Sequence, residues 1–299
     1  MANGEFHMAI PPTIPPLQAQ HASTTVSLSA EQLACQLVSW FLSDRSYAIA
    51  LSGGVDSAVV AQAAALASVP AIAITARSPS VAQRELNDAQ LVIAQTGLEH
   101  VIIDTREVQD HNYQRNDARR CYFCKSQLFS AIQQRFPLHT IVTGTNLDDL
   151  SDYRPGLQAA SESSVRSPLA ELSITKQQVR VLAEHWQLPL ADKPASPCLA
   201  SRIAHGVPVT AERLAMVENA EEFLRKQGLI EFRVRLHAED LARIEVSQDA
   251  LLQLASPETR QQLTQELHAL GFRYITLDLD GFRSGSLNPL FQIQSPRDL

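Results

Sequence analysis

The stretch Tyr47 to Ser57, YAIALSGGVDS, decides the fold. It reads as a short buried strand that runs into a glycine turn and then a helix, an order that aims backbone N–H groups and a helix N-terminus at one spot. An anion belongs there, and pyrophosphate is the anion these residue types favour. Gly53 and Gly54 let the backbone approach a phosphate closely, Ser52 and Ser57 offer hydroxyls, Val55 opens the helix, and Asp56 can hold Mg²⁺ or fix the turn. No Gly-Lys-Ser/Thr follows, so this is not a Walker A loop. The plainer reading is a Ser/Gly surface turn between a strand and a helix.

Outward from that stretch the pattern alternates: AVVAQAAALA, AIAIT, VAQRELNDAQLVIAQ closed by Gly97, HVIID, the helical RRCYFCKSQLFSAIQQRF, then HTIVTG. Short β-branched runs between helical segments predict an α/β fold with a doubly wound parallel sheet covered on both faces, its ligand beyond the C-terminal strand ends. Thr75 and Arg77, at the end of the second strand, would border the adenine. Ser29 and Gln32 form a capping-box pattern ahead of AEQLACQLVSWFL, where Cys35 is read as a small buried hydrophobe on the apolar face. Residues 1–28, with Pro11, Pro12, Pro15 and Pro16, form a disordered lead. Residues 29–206 make the phosphate-binding domain. Residues 207–299 make a smaller α+β domain from TAERLAMVENAEEFLRKQ, FRVRLH, LARIEVS, ETRQQLTQELHALG and YITLDLD.

With 299 residues, 45% hydrophobic content and a net charge of −7, the chain is a globular two-domain protein with no global basic field to collect nucleic acid. Four unevenly spaced cysteines are too few for a secreted disulfide framework, so a reducing cytoplasm is expected. No run approaches the roughly 18 to 20 apolar residues of a membrane span, and no signal-peptide pattern opens the chain.

Four groups of residues carry candidate chemistry. In GTNLDDLSDYRPG, Asp148, Asp149 and Asp152 suit Mg²⁺ on a triphosphate, and equally suit an acidic first helical turn; Gly144 opens this turn. Cys121 and Cys124, with the distant Cys198, make a three-thiolate set with no well-spaced fourth ligand for zinc, His205 being a weak candidate. Three thiolates suit a [4Fe–4S] cluster with one iron open, the alternative being thiols that merely pack. Cys198 lies in the kinked loop LPLADKPASPCLASRIAHG, where Lys193 and Arg202 favour its thiolate as nucleophile or sulfur donor. Arg233 and Arg235 alternate along FRVRLH, so they share one strand face, either as a phosphate or carboxylate clamp or as a solvated surface. Glu221, Glu222 and Glu245 can contribute acid, base or metal ligands, the more frequent explanation for such glutamates being a solvated face.

Taken in order, SGGVDS, CYFCK, GTNLDDLSDYRPG, SPLAEL, KPASPCLASRIAHG, FRVRLH and ARIEVS resemble the LarE family of ATP-dependent sulfur transferases, within the PP-loop ATP pyrophosphatases. The resemblance runs from about Ser29 to the C-terminus. It implies that ATP adenylylates a carboxylate of a pyridinium mononucleotide with loss of pyrophosphate, and that a sulfur species then displaces AMP to leave a thiocarboxylate of the nickel-pincer nucleotide pathway. It further implies that Cys198 bears the sulfur, that Lys125 brings charge to the phosphates, and that Arg233, Arg235, Glu221 and Glu245 line the substrate site. A homo-oligomer is implied too. Single-cysteine members give up the cysteine's own sulfur; Cys121 and Cys124 depart from them and resemble the three-cysteine members. For those the expectation is a [4Fe–4S] cluster on Cys121, Cys124 and Cys198, with sulfide or another donor as the sulfur source. The rivals are a tRNA thiolation enzyme, an amide-forming NAD-synthetase-like enzyme and a non-catalytic nucleotide or Fe–S scaffold.

Overall fold

The computed structural model describes residues 28–41, 44–151, 155–194 and 196–283. The lead expected over residues 1–28 falls outside them except for Leu28, and so does Asp152. Helix α1 (Ala30–Trp40) begins with the expected capping box: Gln32 N donates to Ser29 Oγ at 3.2 Å, and Ser29 N donates to Gln32 Oε1 at 2.9 Å. Its inner face is Leu33, Ala34 and Leu37. Cys35 is exposed, which corrects its reading as buried: one residue past Ala34, the helical step has carried it off that face.

There follow β1 (Ser46–Ala50), α2 (Val55–Leu66), β2 (Ala71–Arg77), α3 (Gln83–Thr96), β3 (Glu99–Asp104), α4 (His111–Gln114), α5 (Arg120–Arg135), β4 (His139–Val142), α6 (Pro155–Glu162), α7 (Pro168–Glu171) and α8 (Lys176–His185). The four strands are parallel in the order β3-β2-β1-β4, with Tyr47 opposite Ala71 on one side and Thr140 on the other. The chain steps outward from β1 to β3 and then crosses back to lay β4 on the far side of β1. The loop leaving β1 therefore lies where the winding direction reverses, the place at which such sheets bind ligands.

Alternation along β1 builds both layers. Tyr47 and Ile49 join Leu37, Val59 and Leu182 from α1, α2 and α8 in one core, while Ala48 faces Phe129 and Ile132 of α5 and Ala159 of α6 in another. Helix α2 is buried almost all round through Ala58, Ala61 and Ala64, small side chains that let it press close to the sheet.

A second, smaller unit contains α9 (Ala211–Lys226), β5 (Phe232–His237), β6 (Leu241–Val246), α10 (Gln248–Ala255), α11 (Pro257–Ala269) and β7 (Tyr274–Leu277). Its sheet runs β5-β6-β7, antiparallel then parallel. Val217, Leu224, Val234, Leu236 and Leu267 fill its core, joined by Tyr113 and by Leu199, Ala200 and Ile203. Ile203 also bridges Leu236 in parallel, and Ala204 N donates to Leu236 O at 2.8 Å. The segment after Cys198 is thereby stitched to the strand that carries both arginines. Among the described residues no helix is long and apolar enough to cross a membrane.

Candidate active site

The loop between β1 and α2 is held by its own serines. Ser57 Oγ donates to Gly54 O at 2.9 Å and accepts from Ser52 N at 3.2 Å, with Ser52 Oγ a further 3.2 Å away. Gly53 has φ +75°, and a Cβ there would lie 2.3 Å from Glu85 O in α3. Gly144, beyond β4, presses from the other side: its Cβ would lie 2.6 Å from Ser57 N. Both close approaches require glycine, and between them the first-turn amides of α2 are left without intrahelical acceptors, as in an anion cradle.

Asp56 is held in this cradle by two residues the sequence reading did not single out. Asn146 Nδ2 donates to its Oδ1 at 3.0 Å, and Lys176 Nζ donates to its Oδ2 at 2.5 Å. The acidic turn after β4 serves the same network, since Asp148 Oδ2 accepts from Lys176 N at 2.8 Å and Asp149 Oδ2 accepts from Asn146 N at 3.1 Å. At the sheet edge, Thr75 Oγ1 donates to Leu51 O at 2.9 Å. His100 Nε2, 2.9 Å from the same hydroxyl, must then be the protonated nitrogen. Arg77 forms a two-point pair with Asp104 at 2.6 and 3.0 Å, exposed on both sides. Lys125 lies 6.0 Å from the Phe129 ring centre and against Gly156 of α6.

The three cysteines share one electrostatic neighbourhood. Cys121 and Cys124 occupy the first two turns of α5, Cys121 exposed and Cys124 half-buried. Arg120, at the head of that helix, donates to Ala200 O at 2.9 Å and so ties it to the loop of Cys198. Burial and the Glu107 carboxylate, with Cys198 and Cys121 adding to them, push the Cys124 thiol up to about 12. Burial opposes the charge on Arg120, yet Cys198 and Cys121 beside it hold its pKa above the ordinary arginine value. Arg120 is thus one cation that faces these thiols, and Lys125, which acts on Cys124, is another. Lys193 is not, because its ammonium is engaged elsewhere: it donates to Gly53 O at 2.7 Å, Glu85 Oε2 at 2.7 Å and Asp88 Oδ2 at 2.5 Å. Tyr113 OH, 2.6 Å from Ser80 Oγ, completes the floor, and Glu107 Oε2 is buried there with no hydrogen-bond partner among the described residues. No three His, Cys, Asp or Glu side chains among the described residues gather tightly enough to hold a single metal ion.

Arg233 and Arg235 do leave the same face of β5, in different settings. Arg235 is buried and donates through Nε and Nη2 to Glu245 Oε2 at 3.1 and 3.0 Å, while Glu245 Oε1 accepts from Arg243 at 3.0 Å. Burial and the neighbouring Arg202 push the Arg233 guanidinium down to about 10, against the pull of Glu221. Glu221 is itself 2% exposed and takes a two-point bond from Arg202. Two clefts flank this cluster and share Arg84. One of about 220 Å³ is lined by Lys193, Ser196 and Arg233, and one of about 400 Å³ by Leu199, Glu218 and Glu221. Glu222, at the rim of the larger cleft, pairs with Arg225.

A family model described as asparagine synthase matches residues 31–121, from α1 through the phosphate loop to Cys121. The chain is 45% identical over 244 residues to an uncharacterized protein of Synechocystis, covering 80% of this chain and 91% of that one. It is 33% identical over 245 residues to the pyridinium-3,5-bisthiocarboxylic acid mononucleotide synthase of Lactiplantibacillus plantarum, covering 80% and 88%. An uncharacterized protein of Methanocaldococcus jannaschii is 28% identical over 240 residues, covering 79% and 90%. Together with the phosphate loop at the switch point of a parallel sheet, these matches show that the chain belongs to the LarE family of PP-loop, ATP-dependent, AMP-forming sulfur transferases.

Proposed function

We propose that this protein adenylylates a carboxylate of a pyridinium dicarboxylic acid mononucleotide and converts it to a thiocarboxylate, a step toward the nickel-pincer nucleotide. The observation that carries the reading is the reach of Lys193. Five positions before Cys198, it donates its ammonium to Gly53 O at 2.7 Å, so the cysteine loop and the phosphate loop form one assembly.

In the first step a substrate carboxylate oxygen attacks the α-phosphorus of ATP and the bond to the β-phosphate oxygen breaks, giving acyl adenylate and pyrophosphate. Ser52, Gly53, Gly54, Val55, Asp56, Ser57 and Gly144 cradle the leaving pyrophosphate, with Lys125 adding charge and Thr75 and Arg77 bordering the adenine. Fixed donors aimed at developing charge are the main lever in such transfers. Asp148 and Asp152 are the carboxylates proposed for Mg²⁺. Arg233 and Arg235, backed by Glu221 and Glu245, hold the substrate's anionic groups. In the second step hydrosulfide attacks the acyl carbon, AMP leaves, and the thiocarboxylate gives up the sulfur's proton to solvent.

Cys121, Cys124 and Cys198 fit a [4Fe–4S] cluster better than a lone metal ion: they are three soft donors in one neighbourhood, and in a cluster each would bind a different iron. When bound, such a cluster supplies an open iron for external sulfide. In this reading residues 29–206 activate the substrate, residues 207–299 bind it and form oligomer contacts, and a cytoplasmic homo-oligomer turns over repeatedly. The test has two parts. Pyrophosphate release from ATP should depend on the pyridinium nucleotide, and anaerobic reconstitution should yield iron, sulfide and an EPR signal. No stimulation by the nucleotide would overturn the substrate. No cluster, with Cys198 losing one sulfur in mass per product, would overturn the cluster.

A further inference from the structure

Among the described residues the largest fully buried side chain is a charged one, Arg202, at 0% exposure. Its Nε and Nη2 donate to the two oxygens of Glu221 at 3.0 and 3.3 Å, which fixes the plane of the guanidinium. Its remaining nitrogen, Nη1, turns to the loop: it donates to Cys198 O at 3.1 Å, to Ser201 Oγ at 3.2 Å and to Pro197 O. Glu221 Oε1 also accepts from Val234 N at 3.3 Å, the amide between Arg233 and Arg235. One buried ion pair thus grips the backbone at Cys198 at one end and the strand of Arg233 and Arg235 at the other. Residues 194–208 carry three prolines and no α-helix or strand of their own among the described residues; downstream of Cys198 the segment is tied to β5 by the Ile203–Leu236 bridge and Ala204 N, and at Pro197 and Cys198 themselves the Arg202 bonds add the side-chain hold.

We propose that Arg202 is a positioning residue for Cys198, and that Glu221 is its anchor rather than a substrate contact. The pair fixes where the Cys198 loop, and whatever sulfur is held there, stands relative to the substrate's acyl carbon. Both oxygens of Glu221 already accept bonds inside the protein, and Arg202 reaches no surface. A buried pair adds little net stability when an apolar pair of similar volume can replace it, so its presence here calls for a role other than stability.

The inference rests on the sulfur-transfer reading above. Its test is the double variant Arg202→Met/Glu221→Met, which removes both charges together and leaves no orphaned ion in the core. The first readout is thiocarboxylate formed per pyrophosphate released. With the loop unclamped, water takes the adenylate and returns carboxylate and AMP, and the ratio falls by about tenfold or more. The second readout is independent of any substrate. The amides of Leu199 and Ser201, bonded to Ser80 O and Cys198 O at 3.0 Å each, should exchange hydrogen about tenfold faster while those of α2 are unchanged. A folded variant with wild-type ratio and wild-type exchange overturns the proposal. If the double variant does not fold, Glu221→Gln decides: it keeps the shape and one acceptor, and an unchanged ratio overturns the proposal. A wild-type protein inert toward the pyridinium nucleotide overturns the substrate instead, and the exchange experiment still judges the clamp.

Discussion

Lys176 Nζ lies 2.5 Å from Asp56 Oδ2, joining the first turn of α8 to the phosphate loop. In the proposed function the lysine offsets a carboxylate that would otherwise stand unpaired beside the bound triphosphate. Lys176→Met should therefore raise KM for ATP by about tenfold and change kcat less, because the lost interaction acts on the bound nucleotide throughout. Both groups are partly exposed, so the stability cost should be roughly 1 kcal/mol or less. Pyrophosphate release against ATP concentration, with urea unfolding alongside, checks both; an unmoved KM would refute the role.

Three glycines make a graded set. At Gly97 φ is +67° with nothing within 4 Å of a Cβ, so Gly97→Ala costs only backbone strain, about 1 kcal/mol. Gly144→Ala meets Ser57 N at 2.6 Å and Asp56 C at 2.8 Å, so the phosphate loop itself must shift, and activity should drop about a hundredfold or more. Gly53→Ala combines φ +75° with a 2.3 Å contact to Glu85 O and should lose both stability and activity. Equal activity in the Gly97 and Gly144 variants would contradict this ordering.

Burial holds His100 below the ordinary histidine value of 6.5, and burial with Arg243 nearby does the same for His237. Facing His237 are also Arg235, which lowers its pKa further, and Glu245, which raises it. Because both folded pKa values lie below the unfolded ones, the unfolded chain binds the protons first as the pH falls. The stability from these groups is fully present above about pH 6.5 and is lost as pH falls through their folded pKa values. The melting temperature should fall on going from about pH 7 to about pH 5, and less steeply in His100→Gln/His237→Gln.

The thiols should separate by reactivity. Cys35, Cys121 and Cys198 are exposed, whereas Cys124 is pushed up to about 12 by burial and then Glu107. Near pH 8, iodoacetamide should label the first three at least about tenfold faster than Cys124, followed peptide by peptide by mass spectrometry. Glu107→Gln should narrow the gap by removing the carboxylate.

Much of the nucleotide-binding half is legible in sequence because its signals are local. The run of strand, glycine turn and helix, the Ser29–Gln32 capping box and the Gly97 stop each depend on a few neighbouring residues, and all form as read. The partners that complete the site are not legible, since each comes from far along the chain. Lys176 reaches Asp56 across 120 positions, Arg84 reaches Ser196 across 112, and Arg120 reaches Ala200 across 80. Cys35 went wrong because an apolar run of 13 residues does not say which side of the helix meets the sheet. A charge buried as deeply as Arg202 defies any expectation from residue type, and only its bonds to Glu221 make it legible.

The position of Lys193 has a consequence for the charge around the phosphate loop. Its one ammonium neutralises Glu85 and Asp88 next to Gly53 while it travels with the segment that bears Cys198. Were that segment to swing away, Asp88 would lose this ammonium and Glu85 would keep only its pair with Arg84, leaving more negative charge beside the proposed seat of the nucleotide phosphates. In the function proposed above, this one ammonium would couple the charge beside the nucleotide seat to the position of the cysteine loop.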